Sequence, residues 1–395
     1  IYGILELGVA IYAILVTPML YRMDFLYGLV GVDAGVGTLT ALRFLAATVL
    51  LFLPTVCMGA TLPVLTIPLV SMERTGEGVG LLYFVNTLGA VVGSAVAGFA
   101  LIRFLGLQSS LYVAACLGVS VMLGAFLLQR ALPDSVPEEA KQKDDKESDE
   151  ELQQASFVTG LDVVSPRMGF TLIMIAAAMC GYISLVNEVV WTRMLGFLLD
   201  GTVYGFSALL ASFLLGIALG SLFISPFIDS SRDLWGLFAK IQLMAALGCI
   251  FTILMIPLVP ALVDAFIGAG TGVEGGFALK VGIVFLIILV PTLFFGAAFP
   301  VCVTIAARYR GMIASSMGSV YAANTVGSIL GSISGGIVLL MLIKDLNTIL
   351  LSMVFLSLLV ALAAGGLSTY NQIQRIGAAV RGARQMAWQK GLGLV

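Results

Sequence analysis

Asn187 and Glu188 form a polar pair inside a long apolar run, where few groups can bind or transfer a charge. Glu188 precedes Asp200 by twelve residues, roughly 18 Å along a helix, which places its carboxyl deep in a membrane-length segment. An ionisable group at that depth requires a partner on another helix, a proton or a cationic ligand. Arg193 lies five residues later on a different helical face and is a poor intrahelical partner. The pair predicts either structural pairing between helices or a site for a solute or proton.

A second group of polar candidates lies in a segment that the chain contains twice. The segments 80–98 (GLLYFVNTLGAVVGSAVAG) and 318–336 (GSVYAANTVGSILGSISGG) align without a gap. On a helix, each copy places a tyrosine and an asparagine on one face. We expect these residues to meet a solute or to brace the contact between two halves of the molecule. They are Tyr83 and Asn86 in the first copy, and Tyr321 and Asn324 in the second.

The repeated segment also carries a stripe of small residues at four-residue spacing. Small residues let two membrane helices approach closely, and an asparagine can hydrogen-bond across the contact. The stripe therefore predicts either helix packing or a rocking interface that faces the solute. Its glycines are Gly89 and Gly93 in the first copy, and Gly327, Gly331 and Gly335 in the second.

A proline pattern precedes each copy of the repeated segment. Pro54 and Pro63 enclose Gly59-Ala60, and Pro291 and Pro300 enclose Gly296-Ala297 with the same spacing. Proline removes a helical hydrogen bond and clashes with the preceding turn, so each pattern predicts a kinked or broken helix. Such helices either expose backbone carbonyls in a cavity or are static kinks.

The elements that hold these residues must cross a membrane. The chain is 60% hydrophobic and only 11% charged, whereas soluble domains are about a quarter charged. Its apolar runs have the length of membrane-spanning helices and do not alternate as strands would. We therefore predict an all-α polytopic membrane protein in contact with the lipid bilayer.

Composition also excludes several kinds of site. The net charge of −2 provides no basic field for nucleic acid, and histidine, the commonest metal ligand, is absent. The five cysteines occur singly in apolar runs without C-x-x-C spacing, which indicates packing rather than zinc or iron–sulfur ligation. Nucleotide-binding and hydrolase motifs are also missing. We predict no metal site, no cofactor and no catalytic residue, and hence no enzyme.

The order of the apolar runs divides the chain into two unequal halves. Residues 1–129 contain four spans, 130–167 form an acidic connector without a core, 168–367 contain six spans, and 368–395 form a basic tail. The repeats align the four spans with the last four of the six. This alignment predicts a six-plus-six ancestor seen here as about ten helices, with two spans missing upstream through truncation or supplied by another chain.

Arginines mark one side of the predicted bundle. Arg232, Arg308 and Arg310 follow alternate spans, as does the tail, while acidic residues are found in the opposite loops. The positive-inside rule places the arginines, the connector and the C-terminus in the cytoplasm. Two parallel six-helix halves related by an axis along the membrane normal are the major facilitator arrangement.

Several blocks of sequence resemble one family in their order along the chain. They are EVVWTRMLGF (188–197), VYGFSALLASFLLGIALGS (203–221), PTVCMGATLPVL (54–65) and LYFVNTLGAVVGSAVAGF (82–99). These blocks are similar to the membrane domain of bacterial proteins that fuse a major-facilitator bundle to a spermidine-synthase-like enzyme. The resemblance implies an inner-membrane bundle that is often joined to a cytosolic aminopropyltransferase. This chain contains no counterpart of that enzyme domain, so aminopropyl transfer is not assigned to it.

Two functions follow from these observations. The acid near the midplane of a duplicated bundle favours a transporter-like protein that handles a small solute, a cationic polyamine or related amine above all. The alternative is a non-catalytic membrane anchor or accessory subunit of a larger assembly, whose partners would be other membrane subunits or a separate synthase chain. Helix stripes that face lipid would favour the second function.

Overall fold

The computed structural model describes residues 1–21, 35–131, 165–199, 201–267 and 273–392, and every regular element in them is helical. Most of the predicted connector, 130–167, lies outside the described residues. The predicted all-α fold is confirmed by these helices. The length and hydropathy of these helices also show that they can cross a membrane.

The first four helices correspond to the four predicted spans. Their bounds are α1 Tyr2–Tyr21, α2 Val36–Leu69, α3 Thr75–Val96 and α4 Ile102–Ala131. A π-helical turn, Ala97–Leu101, joins α3 to α4, and α4 is bent at Gly106, whose φ of 75° and ψ of 172° are not helical. The glycine at this positive φ allows the chain to turn between two spans.

Eight further helices follow in the rest of the described chain. Their bounds are α5 Pro166–Leu198, α6 Val203–Ser230, α7 Leu234–Met255, α8 Val259–Ile267, α9 Val273–Arg310, α10 Ile313–Ile333, α11 Leu339–Ile343 and α12 Leu346–Leu392. A second π-helical turn, Ser334–Val338, joins α10 to α11. Like the first π-helical turn, it follows directly on the repeated helix, so the repeat is present in backbone conformation as well as in sequence.

Within the described ranges, eight helical segments are long and apolar enough to cross a membrane. One of them, Thr75–Arg130, is 56 residues long and is divided at Gly106, and the shorter apolar helix Tyr2–Val16 adds another. Large apolar side chains such as Phe104, Phe197 and Leu342 are exposed on these helices. An integral membrane protein in contact with lipid is therefore confirmed, and the division into four and six spans stays a prediction.

The chain forms two compact units. The first contains Ile1–Leu69 and Gly93–Asp144, and the second contains Val70–Val92 and Asp145–Val395. The start of the repeated helix α3 thus packs with the second unit. There the Asp229 carboxylate accepts hydrogen bonds of 2.8 Å from the backbone N–H groups of Gly76 and Glu77, which caps a helix N-terminus with a negative charge.

The second unit is built on three closely packed helix pairs: α6 with α9, α5 with α10, and α7 with α12. Glycines make the first two contacts possible. A Cβ on Gly220 or Gly296 would collide with the backbone of α9 or α6 respectively, and one on Gly327 would collide with the Ala178 carbonyl of α5. An apolar core that includes Trp191, Phe213 and Ile288 fills the space between the pairs.

Candidate functional site

A cavity of about 180 Å³ lies inside the second unit. Side chains from α3, α5, α6, α9 and α10 form its walls. Helix α5, which supplies the most lining residues, begins at Pro166 after Ser165, whose hydroxyl accepts a hydrogen bond of 3.4 Å from the Met168 N–H. Proline in the first turn and serine before it are the residue types that favour a helix start at this point.

Glu188 is the charged residue among those that line the cavity. Its side chain is half-buried, and it makes no hydrogen bond or ion pair with another residue that the structure describes. Arg193 does not neutralise it, because the Arg193 guanidinium donates instead to the Gly336 carbonyl at 2.8 Å. The carboxyl is therefore available to a ligand or a proton that enters the cavity.

Neutral polar groups face Glu188 from two helices. Asn324 and Ser328, one turn apart on α10, line the cavity opposite Ser184 of α5. The absence of a side chain at Gly181 lets the Asn324 backbone approach α5, since an added Cβ would collide with the Asn324 carbonyl. The cavity thus combines one acid with amide and hydroxyl groups that can donate or accept hydrogen bonds.

Aromatic rings form the remaining wall. Tyr83 stacks on Phe299 with a centroid distance of 4.4 Å and an interplanar angle of 23°. Phe295, which also lines the cavity, stacks on the buried Trp191 at 6.3 Å. Phe213 completes this wall from α6. The faces of such rings attract cations and apolar surface alike.

The structure brings together half of the six predicted solute-binding candidates. Glu188, Tyr83 and Asn324 line the cavity, although they come from three different helices. Tyr321 lies behind the wall, with its ring perpendicular to that of Phe299 at 6.1 Å. Asn86 is exposed on α3 and is not part of the lining.

Asn187, the sixth candidate, is placed away from the cavity. It is fully buried, and its Nδ2 donates to the Ile183 carbonyl of its own helix at 2.7 Å. A side chain one position from Glu188 is rotated by about 100° around an α-helix. The structure therefore places Glu188, but not Asn187, on the cavity wall, and a role for Asn187 in meeting the solute stays a prediction.

The two copies of the glycine stripe differ in their surroundings. A Cβ on Gly327 or Gly331 would collide with or press against the backbone of α5, and Gly335 lies close to Val186. Around Gly89 and Gly93, by contrast, no heavy atom of the described chain lies within 4 Å of an added Cβ. In the second copy, then, the stripe packs against α5; in the first it has no neighbour among the described residues.

The proline helices are continuous, and two of the carbonyls freed by proline are already paired. Helix α2 runs through Pro54 and Pro63, and α9 runs through Pro291 and Pro300. Because Pro54 lacks an N–H, the Leu50 carbonyl loses its helical donor, and the Tyr12 hydroxyl donates to it instead. In the second copy the Thr252 hydroxyl proton is shared between the Gly248 carbonyl of its own helix at 3.0 Å and the Ile287 carbonyl at 3.4 Å. These two carbonyls are not offered to the cavity.

Sequence reasoning missed several lining residues that helical spacing could have found. Ser184 lies one turn before Glu188, Cys180 lies two turns before it, and Ser328 lies one turn after Asn324. Extending the helical face of each polar anchor by four residues would have identified Ser184 and Ser328, and a second step of four would have identified Cys180. Phe213, Phe295 and Phe299 carried no such signal, because phenylalanine is common throughout this apolar chain.

Comparison with known families gives one match. The sequence profile of the family described as the Major Facilitator Superfamily matches residues 4–332, which is most of the chain. The match includes every cavity-lining residue named above. Among curated proteins, none matches the chain.

Proposed function

Because the chain belongs to the Major Facilitator Superfamily, we propose that this transporter-like membrane protein carries a small cationic solute through the cavity around Glu188. One observation carries the proposal: a single half-buried carboxyl without a partner among the described residues lines a cavity of about 180 Å³ in the second unit. The negative charge of a carboxylate inside a membrane bundle requires neutralisation. During a transport cycle, a solute cation and a proton would neutralise Glu188 in turn.

The class of solute follows from the chemistry of the walls. An ammonium group would pair with Glu188, and the aromatic wall of Tyr83, Phe295 and Phe299 would hold its alkyl body and the charge next to it. Asn324 and Ser184 would accept hydrogen bonds from further N–H groups. A polyamine or related amine fits these contacts, and its amino groups beyond the first would be bound by neutral oxygens.

Transport by purified protein in proteoliposomes tests this proposal. Uptake of radiolabelled spermidine, putrescine and a simple monoamine would be measured for the wild type and for Glu188→Gln. The variant keeps the shape and removes the charge, so we expect amine uptake to fall by about tenfold or more, the value of one charge-assisted hydrogen bond. Unchanged amine uptake in the Glu188→Gln variant would refute the assignment of Glu188 to the transport site.

Glu77→Gln is the matched control for that experiment. Glu77 is an exposed acid at the start of α3, and it pairs with Arg74 at 3.6 Å outside the cavity. The same chemical change should leave uptake at the wild-type value. A comparable loss in both variants would show that overall charge, and not the cavity carboxyl, controls transport.

The alternative of an accessory subunit or anchor is not favoured, because it calls for two uncovered glycine stripes and the second stripe packs against α5. The family match supports a transporter, and it supports the major-facilitator part of the resemblance described above. The relationship to spermidine-synthase-like fusion proteins, the bacterial inner membrane and the cytoplasmic position of the arginine-bearing ends belong to the proposal. A protease added to sealed inverted vesicles would cleave the connector between α4 and α5 if that orientation is right.

A further inference from the structure

The cavity has a second chemical feature besides its carboxyl, a pair of cysteines. Cys180 on α5 and Cys302 on α9 are far apart in the sequence, and both line the cavity. The two side chains lie near enough to interact electrostatically with each other across one cavity. Cys180 lies eight residues before Glu188, about 12 Å away along the helix. The thiol pair and the carboxyl therefore occupy different ends of the α5 wall.

A buried amide supports this pair. The Gln242 Nε2 of α7 donates a hydrogen bond of 2.7 Å to the Cys180 Sγ. Gln242 is 3% exposed and Cys302 is 1% exposed, whereas Cys180 is half-buried. An N–H donor directed at sulfur stabilises the electron-rich form that binds metals, as outer contacts do for established metal ligands. Both thiols line the cavity, and Cys180 is the more exposed of the two.

The remaining cysteines have different surroundings. Cys249 is fully buried in the apolar core formed by residues such as Trp191 and Ile288. Cys57 and Cys116 belong to the first unit, where they are half-buried and exposed respectively. None of these three is among the residues that line the cavity.

We propose that Cys180 and Cys302 form a two-thiol site that binds a soft, thiophilic metal or metalloid centre within the cavity. Thiol ligands select soft centres over Mg²⁺ or Ca²⁺. The described chain offers no cluster of three or more cysteine, histidine or acidic residues, so a four-ligand zinc site is not built here. With metal–sulfur bonds of about 2.3 Å, a bound centre holds two sulfurs no more than ~4.6 Å apart. Two interacting thiols on the walls of one cavity can reach this spacing by side-chain movements.

Trivalent arsenic is a suitable probe because its reaction distinguishes a thiol pair from single thiols. Phenylarsine oxide condenses with two thiols to form two As–S bonds. The oxygen leaves as water with both thiol protons, and arsenic remains trivalent, so no oxidant or reductant takes part. A single thiol forms only one As–S bond and loses the arsenical readily. Stable labelling therefore reports two cysteines within reach of one centre.

The test uses the full chain, reduced and then freed of reductant in mild detergent, with phenylarsine oxide added in slight excess. Intact-protein mass spectrometry should show one phenylarsenic group per chain, which is removed by a small dithiol but not by a monothiol. Cys180→Ser and Cys302→Ser should each lose this adduct completely. Cys249→Ser, the matched control from the core, should retain it.

Peptide mapping of the wild type provides a readout that does not depend on how the variants fold. After arsenical treatment, the protein would be denatured and exposed to N-ethylmaleimide, and protection of Cys180 and Cys302 alone is the expected pattern. No stable adduct on the folded wild type, or an adduct that protects other cysteines, would overturn the proposal. Because the probe measures binding and not uptake, its outcome is separate from that of the amine transport experiment.

Discussion

At the scale of single residues, the cavity depends on side chains that point from several helices towards one acid. Glu188 has no partner among the described residues, and Asn324 is the polar group that α10 directs to the same space. If the cavity binds a cation as proposed, the acid alone would not define its specificity. A carboxylate attracts any cation, whereas an amide at a fixed place favours a solute with an N–H group within its reach.

Asn324→Ala should weaken solute binding without abolishing transport. The loss of one hydrogen bond to a charged solute corresponds to about tenfold in apparent affinity. The measurement is the concentration dependence of uptake in proteoliposomes. Thr325→Ala is the neighbouring control, because the Thr325 hydroxyl donates to the Tyr321 carbonyl of its own helix at 2.8 Å and is exposed. Equal effects of the two substitutions would contradict a role for Asn324 in the cavity.

The sequence could identify the polar anchors of this site, but not its full set of residues. Glu188 and Asn324 are conspicuous because polar residues inside apolar runs are costly. Asn187 is equally conspicuous, but its side chain lies about 100° around the helix from that of Glu188 and does not line the cavity. Cys180 and Cys302 look like ordinary packing residues in sequence, and only the contact between α5 and α9 brings their thiols together.

At the scale of helices, the proline positions show how each repeat protects its backbone. In the first unit the Tyr12 hydroxyl of α1 pairs with the Leu50 carbonyl, and in the second the Thr252 hydroxyl of α7 pairs with the Ile287 carbonyl. The alignment of the halves makes α1 the counterpart of α7. Two different side chains therefore donate a hydrogen bond to equivalent carbonyls that proline leaves without a helical donor. Sequence identity between the repeats does not show this equivalence.

A double-mutant cycle tests whether the Thr252 hydroxyl stabilises the protein through its hydrogen bond to the Ile287 carbonyl. Thr252→Val should lower stability by about 1 kcal/mol, because the Ile287 carbonyl loses its donor in a water-poor environment. In a Pro291→Ala background the alanine supplies an N–H to the same carbonyl, so the further cost of Thr252→Val should shrink. Thermal unfolding in detergent measures all four proteins. Identical costs in both backgrounds would show that Thr252 acts by packing alone.

At the scale of the whole molecule, the repeat is preserved in sequence while its two copies have different neighbours. The order of helices, the duplication and the membrane class all follow from the amino-acid pattern, because apolar length and repeat spacing can be read from the chain directly. Which glycine stripe is covered does not follow from it, since Gly89 and Gly327 occupy equivalent positions in closely similar segments. The distinction arises from packing against α5, to which Gly327 is directly apposed.

Equivalent substitutions in the two copies should therefore have different effects. Gly327→Ala forces a methyl group into the Ala178 carbonyl and should destabilise the protein by about 1–3 kcal/mol, as overpacking does. Gly89→Ala should be neutral, or stabilising by up to ~1 kcal/mol through helix propensity. Thermal unfolding of both variants in detergent and in lipid nanodiscs checks the prediction. A Gly89→Ala variant that is as damaged as Gly327→Ala would reveal another helix covering the first stripe.

The paired π-helical turns have a further consequence, which concerns the history of the chain. A π turn holds one more residue than an α turn, and it rotates every later side chain of the helix relative to those before it. Ala97–Leu101 follows α3 and Ser334–Val338 follows α10, so each copy of the repeated helix ends in the same way. We infer that the extra residue was already present in the single ancestral half. On that inference the π turn is older than the duplication, and both copies have kept it since.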